Sequence, residues 1–292
     1  MFRTIKFITQ HPFTKGRRLT ALFNFAKWQF FSRLYRWPVV YPFTQNSKLL
    51  VWKGLTGATG NLYCGLHEFE DMAFLLHLLR KDDLFIDVGA NIGSYTILAA
   101  AEVGASVIAI EPIPDTFKNL AQNIAINNVE HRVKALNIGL GSKKDVLKFT
   151  NSFDTGNHVA DDNDTATGLT MVNTDTMDNI LDGNQPLLIK VDVEGFETEV
   201  LNGASNTLQS PALKAIIIEL NGSGKRYGFD ENAIHSLLIN HGFKAMKYLP
   251  FKRELTATAP GTVGNTLYIR DLDFVTERLK TARIIIIQGK PL

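Results

Sequence analysis

The chain has a single cysteine, Cys64, so no disulfide can form within it. That is compatible with a reducing compartment, and a cytoplasmic location is expected. No stretch approaches about eighteen consecutive apolar residues, so no spanning helix is expected. The start lacks a clean apolar core with a small-residue cleavage site, which argues against a secretory signal. Acid is missing from the first part of the chain. Ten Lys or Arg and no Asp or Glu precede Glu68. Of the 31 basic and 29 acidic residues, 21 and 29 therefore fall after that point, a balance of −8. No nucleic-acid module is recognisable and the rest of the chain is acidic, so no nucleic-acid partner is expected. Internal repeats and low-complexity segments are absent too. What remains is a globular composition, long enough for one α/β domain with extensions.

The chain is organised around LFIDVGANIG at residues 84–93. Leu84, Phe85, Ile86 and Val88 read as a buried parallel strand that stops at Gly89. A helix follows over residues 95–101. A strand, a glycine turn and a helix start let a polar ligand approach the backbone closely. The dinucleotide fingerprint Gly-x-Gly-x-x-Gly is not present: Gly89 and Gly93 are separated by three residues, and Asp87 stands two before the first glycine. A carboxylate there repels a pyrophosphate but suits an ammonium group, such as the methionine end of S-adenosylmethionine. The next strand, residues 106–110, ends at Glu111, about twenty residues past the loop, where an acid can accept both hydroxyls of an adenosine ribose. Enzymes of the NAD-dependent oxidoreductase class use the same device, and a non-catalytic adenosine-binding scaffold would keep both acids.

The rest reads in order. Residues 1–45 form a basic, aromatic N-terminal extension. Within it, residues 19–35 suggest an amphipathic helix with the stripe Leu22, Phe23, Ala26, Phe30 and Leu34, set among Arg17, Arg18, Lys27, Arg33 and Arg36. This arm either packs on the main domain or a second subunit, or makes peripheral contact with the inner face of an anionic membrane. Residues 49–53 and 61–63 read as short strands and 68–80 as a helix. A helix over 114–127 and a third strand over 132–136 follow. Strands near 146–149 and 168–172 make a hairpin around a long polar loop. A fourth strand, 187–191, runs into Asp192, Val193, Glu194 and Gly195. A fifth covers 215–220, a helix 231–240, and an antiparallel pair 243–248 and 266–269. Residues 284–287 read as an edge strand or a subunit contact. Alternating strand and helix make a doubly wound α/β sheet.

Three pieces in this order resemble the FkbM-type methyltransferases: IDVGANIGSYT, the IEP at residues 110–112, and KVDVEGFETEVLNGA. The resemblance spans residues 60–270 and extends to Thr155, Gly156, Asn157 and His158 in the polar loop. It implies a class I methyltransferase fold, Rossmann-like, with seven strands and a C-terminal antiparallel hairpin. Residues 46–292 are then the catalytic domain, S-adenosylmethionine the cofactor, and a hydroxyl, often of a sugar, the acceptor.

The candidate cofactor-binding residues are Asp87, Gly89, Asn91, Gly93, Glu111, Pro112 and Asn137. Transfer to a hydroxyl needs positioning and a proton acceptor or a metal. Asp87, Glu111, Asp192 and Glu219 all fall at strand carboxyl ends, where ligands of open α/β sheets lie. The candidate catalytic residues are Asp192, Glu194 and His158, the last because its loop can reach over the site. Asp192, Glu219 and Asn221 are alternative oxygen ligands for Mg²⁺. His67 is a candidate for the mouth of the site.

Overall fold

The computed structural model describes residues 2–34, 38–152, 156–161, 168–259 and 264–292. Apolar runs at Leu84–Val88 (β1), Ser106–Ile110 (β2), Val133–Leu136 (β3), Leu188–Val191 (β4) and Ala215–Glu219 (β5) pair in parallel. Lys244–Leu249 (β6), Glu254–Ala257 (β7) and Asn265–Ile269 (β8) close the sheet with antiparallel ladders. The order across the eight strands is β7-β6-β8-β5-β4-β1-β2-β3. β1 lies between β4 and β2, where the winding reverses, so the crevice for a ligand opens above its carboxyl end.

Alternation along β1 sends Phe85 into one core and Ile86 and Val88 into another on the opposite face. The first core includes helix Phe69–Leu78; the second includes helices Glu197–Asn202 and Glu231–Asn240. Both faces are covered, which is why the parallel strands are apolar almost throughout. In register, Asp87 lies opposite Lys190 of β4 and Ala109 of β2.

Several expectations are corrected. The sheet has eight strands rather than seven. β7 is a mostly exposed edge strand without an apolar face, so no periodic signal marks it. Residues 61–63 are helical, within Thr56–Cys64, and not a strand. The Gly-rich TGATG reads as a turn, but burial of Ala58, Leu62, Tyr63 and Cys64 in the main core decides the conformation. The helix that follows Gly93 is α only over Ser94–Ile97 and a π-helix over Leu98–Val103. A capped helix, Leu272–Lys280, adds to the expected elements. The hairpin pair Asp145–Thr150 and Leu169–Asp175 forms as expected, joined by Gly139–Leu140 into a separate three-stranded sheet.

The extension is helical, with Phe2–Gln10 (α1) and Arg18–Phe31 (α2), followed by an unexpected strand, Val39–Pro42, that pairs antiparallel with the expected one, Lys48–Val51. It shares the main core through Ile8, Phe13, Phe25, Trp28 and Phe43. The face of α2 that packs inward is Ala21, Phe25 and Trp28; of the stripe read from the sequence, Leu22 packs against the core while Phe23, Phe30 and Leu34 are exposed. Tyr35, Arg36 and Trp37 lie outside the described residues. Ile286–Ile287 pairs with Lys290–Pro291 in a terminal hairpin, apart from the main sheet, with Ile285, Ile287 and Leu292 in the core. Among the described residues no helix is long and apolar enough to cross a membrane.

Candidate active site

A cavity of about 340 Å³ opens above the carboxyl ends of β1, β2, β4 and β5. It is within the size range of small-molecule sites. The loop after β1 forms one wall. Gly89 and Ala90 both donate to the Ile110 carbonyl, at 3.0 and 2.9 Å, which ties this loop to the end of β2. Gly89 has φ +74, and a Cβ there would stand 1.8 Å from the Asp192 carbonyl oxygen. The position therefore admits only glycine, because loop and β4 end meet backbone to backbone. Asn91 adopts a left-handed φ of 51° and caps its own turn, its Oδ1 accepting from Ile92 N–H.

Asp87 is buried. Its Oδ2 accepts from Thr96 N–H at 3.0 Å and from Thr96 Oγ1 at 2.6 Å, while Oδ1 has no partner. Burial pushes its carboxyl up, with Lys190 opposing. A buried carboxylate oxygen left unpaired at the cavity wall fits an ammonium donor. Glu111 is also buried. Its Oε2 accepts from Asn91 N–H and its Oε1 from Ile113 N–H, each at 2.9 Å. These bonds aim both oxygens, and each keeps acceptor capacity for a ribose hydroxyl. Burial raises this carboxyl to about 7, against the pull of the two N–H groups. Pro112 lines the cavity. Asn137 does not; its side chain donates to the Glu111 and Pro112 carbonyls, at 2.8 and 2.9 Å, and braces the strand end.

A testable consequence concerns pH. Both Glu111 oxygens are free to accept only when the carboxyl is ionised, so a ligand that donates two hydroxyls to it, as a ribose would, lowers its proton affinity and releases a proton below about pH 7. Affinity for S-adenosylhomocysteine, measured by calorimetry, should rise as pH increases through that range. Glu111→Gln should bind more weakly and lose this slope. An unchanged slope would assign the titration to another group.

The other wall is acidic. Oxygens of Asp192, Glu194 and Glu219 lie within 4.8 Å of one another. Asp192 Oδ2 is 2.7 Å from the Lys190 ammonium, which is buried and lies 5.0 Å from the Tyr95 ring centroid. Despite burial, Asp192, Glu68 and Asp87 hold Lys190 above the usual ammonium range. Glu194 has φ 55 and a carboxyl raised by burial and by Asp192. Glu219 is pushed up to about 9 by burial, then by Asp192 and Glu194. Close carboxylates shed repulsion by keeping a proton or gaining a cation.

His158 stands apart from this cluster. It is buried and does not line the cavity, although Asn157 and Val159 do. Its backbone N–H donates to Thr150 Oγ1 and its Nδ1 pairs with the Gly156 carbonyl at 2.8 Å. Thr155 lies outside the described residues. Asn221 does not line the cavity, and its Oδ1 accepts from Ser223 N–H at 2.8 Å; Glu194 is a third carboxylate beside Asp192 and Glu219 that was not among the expected metal ligands. His67 lines the cavity as expected, joined by Glu68.

Sequence reading misses three contributors. Lys190 reads as one more residue of a strand, although a lysine inside the apolar run LLIKV is itself a signal. Tyr95 reads as helix core. Glu197 accepts from Val193 and Gly195 N–H, both at 3.1 Å, and so holds the turn that carries Glu194.

A doubly wound sheet whose first two strands end in acids, Asp87 and Glu111, both lining the cavity, is an arrangement that S-adenosylmethionine fits. The chain belongs to the family of the methyltransferase FkbM domain, which matches residues 87–245. Hexuronic acid methyltransferase AglP of Haloferax volcanii is 32% identical over 176 residues, 59% of this chain and 67% of that protein. A tRNA(Phe) (4-demethylwyosine(37)-C(7)) aminocarboxypropyltransferase of Pyrococcus horikoshii is 44% identical over only 59 residues, 20% of this chain and 21% of that protein. Among solved structures, a precorrin-6y C5,15-methyltransferase of Geobacter metallireducens covers 78% of this chain and 98% of its own at 13% identity, with a TM-score of 0.43. Family membership sets aside the NAD-dependent oxidoreductase and the scaffold.

Proposed function

We propose that this methyltransferase is an O-methyltransferase acting on a hydroxyl of a saccharide. The observation that carries the reading is the cluster of Asp192, Glu194 and Glu219 facing the cavity that holds Asp87 and Glu111. When bound, S-adenosylmethionine supplies an electrophilic methyl group on a sulfonium. Asp87 holds the ammonium of its methionine part and Glu111 its ribose. Asp192 takes the proton of the acceptor hydroxyl as the new oxygen–carbon bond forms. Lys190 fixes one Asp192 oxygen, and Glu219, protonated at neutral pH, stands beside it as a donor. Glu197 keeps Glu194 and the turn in place. The similarity to a hexuronic acid methyltransferase supports a sugar acceptor.

The cavity also suggests the charge of that acceptor. Glu68, Asp192 and Glu194 line it beside the protonated Glu219, and among the described lining residues Lys190 is the one Lys or Arg, already paired with Asp192. A neutral glycoside should therefore be methylated at least about tenfold faster than its uronic acid counterpart, since like charges brought together are costly. Incubation with S-adenosylmethionine and matched neutral and uronic saccharides, with product located by mass spectrometry and NMR, tests both points. Methyl on nitrogen or carbon would overturn the reaction class, and faster turnover of the uronate would overturn the charge argument.

A specific observation also favours a cation. Asp192, Glu194 and Glu219 are an all-oxygen donor set of the kind Mg²⁺ takes, and would hold it where it polarises the acceptor hydroxyl. Turnover unchanged by chelator would leave Asp192 as a plain base; loss on chelation with recovery on Mg²⁺ would assign the metal role.

A further inference from the structure

Helix α2 has two apolar faces. Ala21, Phe25 and Trp28, with Ser32 just past the end, recur at helical steps and are buried against the domain. Leu19, Phe23 and Phe30, with Leu34 in the turn that follows, recur at the same steps on the opposite side. They are 84%, 66%, 63% and 65% exposed. Core packing explains the first face and leaves the second unaccounted for. Contiguous exposed apolar surface of this kind marks an interaction site.

Charge identifies the occupant. Lys27 and Arg33 flank the outward stripe and are exposed, as are Arg3 and Lys6 on α1, Lys15 between the helices and Arg18 at the start of α2. No acidic residue occurs before Glu68 to neutralise them. Two copies of this face brought together would oppose cation to cation, so self-association is disfavoured. A nucleic acid answers the charge but offers little to bury leucine and phenylalanine side chains projecting as a row. An anionic bilayer answers both, with acyl chains for the stripe and headgroups for its basic flanks.

We propose that the outward face of α2 docks this methyltransferase on an anionic lipid surface, with the helix lying in the interface. The inward face anchors α2 to the catalytic domain, so docking holds the domain at the membrane without a spanning segment.

The test uses the full chain with vesicles of phosphatidylcholine, alone and mixed with phosphatidylglycerol, in co-sedimentation. Three proteins are compared: the natural chain, Phe23→Ser/Phe30→Ser, and Lys27→Glu/Arg33→Glu. The natural chain should sediment with the mixed vesicles only, and less so as salt rises. The apolar double variant should lose roughly tenfold or more in affinity, and the charge variant should also release. All three should share one melting temperature, because the four positions are exposed; a melting temperature lowered in the variants would mean that the face supports the fold. Failure of the natural chain to sediment, or undiminished binding by Phe23→Ser/Phe30→Ser, would overturn the proposal. A dimer in ultracentrifugation that this variant dissociates would instead make the face a subunit contact, and RNA binding lost in the charge variant without vesicle binding would make it a nucleic-acid surface.

Discussion

Asp192→Asn should lower turnover by about 10²–10⁴-fold, the usual loss when a general base is removed, with the affinity for S-adenosylhomocysteine little changed. Asparagine keeps the size and the shape but cannot take the acceptor proton. The cofactor contacts proposed above belong to Asp87 and Glu111 on neighbouring strands, and the bonds that orient their carboxyls do not involve the Asp192 side chain. The variant does leave the buried Lys190 without its 2.7 Å partner. Asp87 and Glu68 still favour the ammonium, so the fold should survive with reduced stability. Single-turnover rates, calorimetry with S-adenosylhomocysteine and a melting curve on one preparation separate these effects. Near-normal turnover would remove Asp192 from the chemistry and move the test to Glu194, its neighbour in the cluster.

Gly89→Ala should abolish measurable cofactor binding, a loss of roughly 10²-fold or more. Two costs act at once. A left-handed φ of +74° is unfavourable for alanine by about 1–2 kcal/mol. The added Cβ also meets backbone, at 1.8 Å from the Asp192 carbonyl oxygen and 2.9 Å from its carbon, so no side-chain rotation relieves it. The loop must retreat from β4, carrying Asn91 away from Glu111 and distorting both acid positions. Gly183→Ala is the control: φ is +83°, yet nothing lies within 4 Å of where the alanine methyl would stand, so only the conformational cost applies. Similar cofactor affinity in the two variants would show that the close approach of loop and strand is unimportant.

Legibility in the sequence follows the strength of local patterns. Strands β1, β2, β4 and β5 are legible nearly to the residue, because a parallel strand covered on both faces is a short apolar run with a sharp end. Helix Glu231–Asn240 is legible at both ends, and Asp230 caps it. Helix Leu272–Lys280 carries comparable signals in the Asp271 cap and the buried Val275 and Leu279, yet is absent from the expected elements. Helix Thr56–Cys64 has misleading ones: two glycines in a helix oppose its formation, and a Cβ at Gly60 would stand 1.9 Å from His67 Nδ1, so the imidazole would have to move. On α2 the helical periodicity is legible and the buried face is not. A helix apolar on both sides does not reveal which side the domain covers.

For the site, Asp87, Glu111, Asp192 and Glu219 are legible because strand ends can be read from one dimension, and ligands of such sheets lie beyond them. The sequence alone determined the family, the parallel sheet and the four acids at its edge, since each is written in contiguous residues. Tertiary structure decided which groups meet. Lys190 pairs with Asp192 and stands beside Asp87 because β4 lies next to β1 in a particular register. Glu194 joins Asp192 and Glu219 because a left-handed turn held by Glu197 folds it there, while Asn221 accepts from Ser223 N–H. Pairings of this kind depend on distances between residues remote in the chain, which local propensity and spacing do not encode.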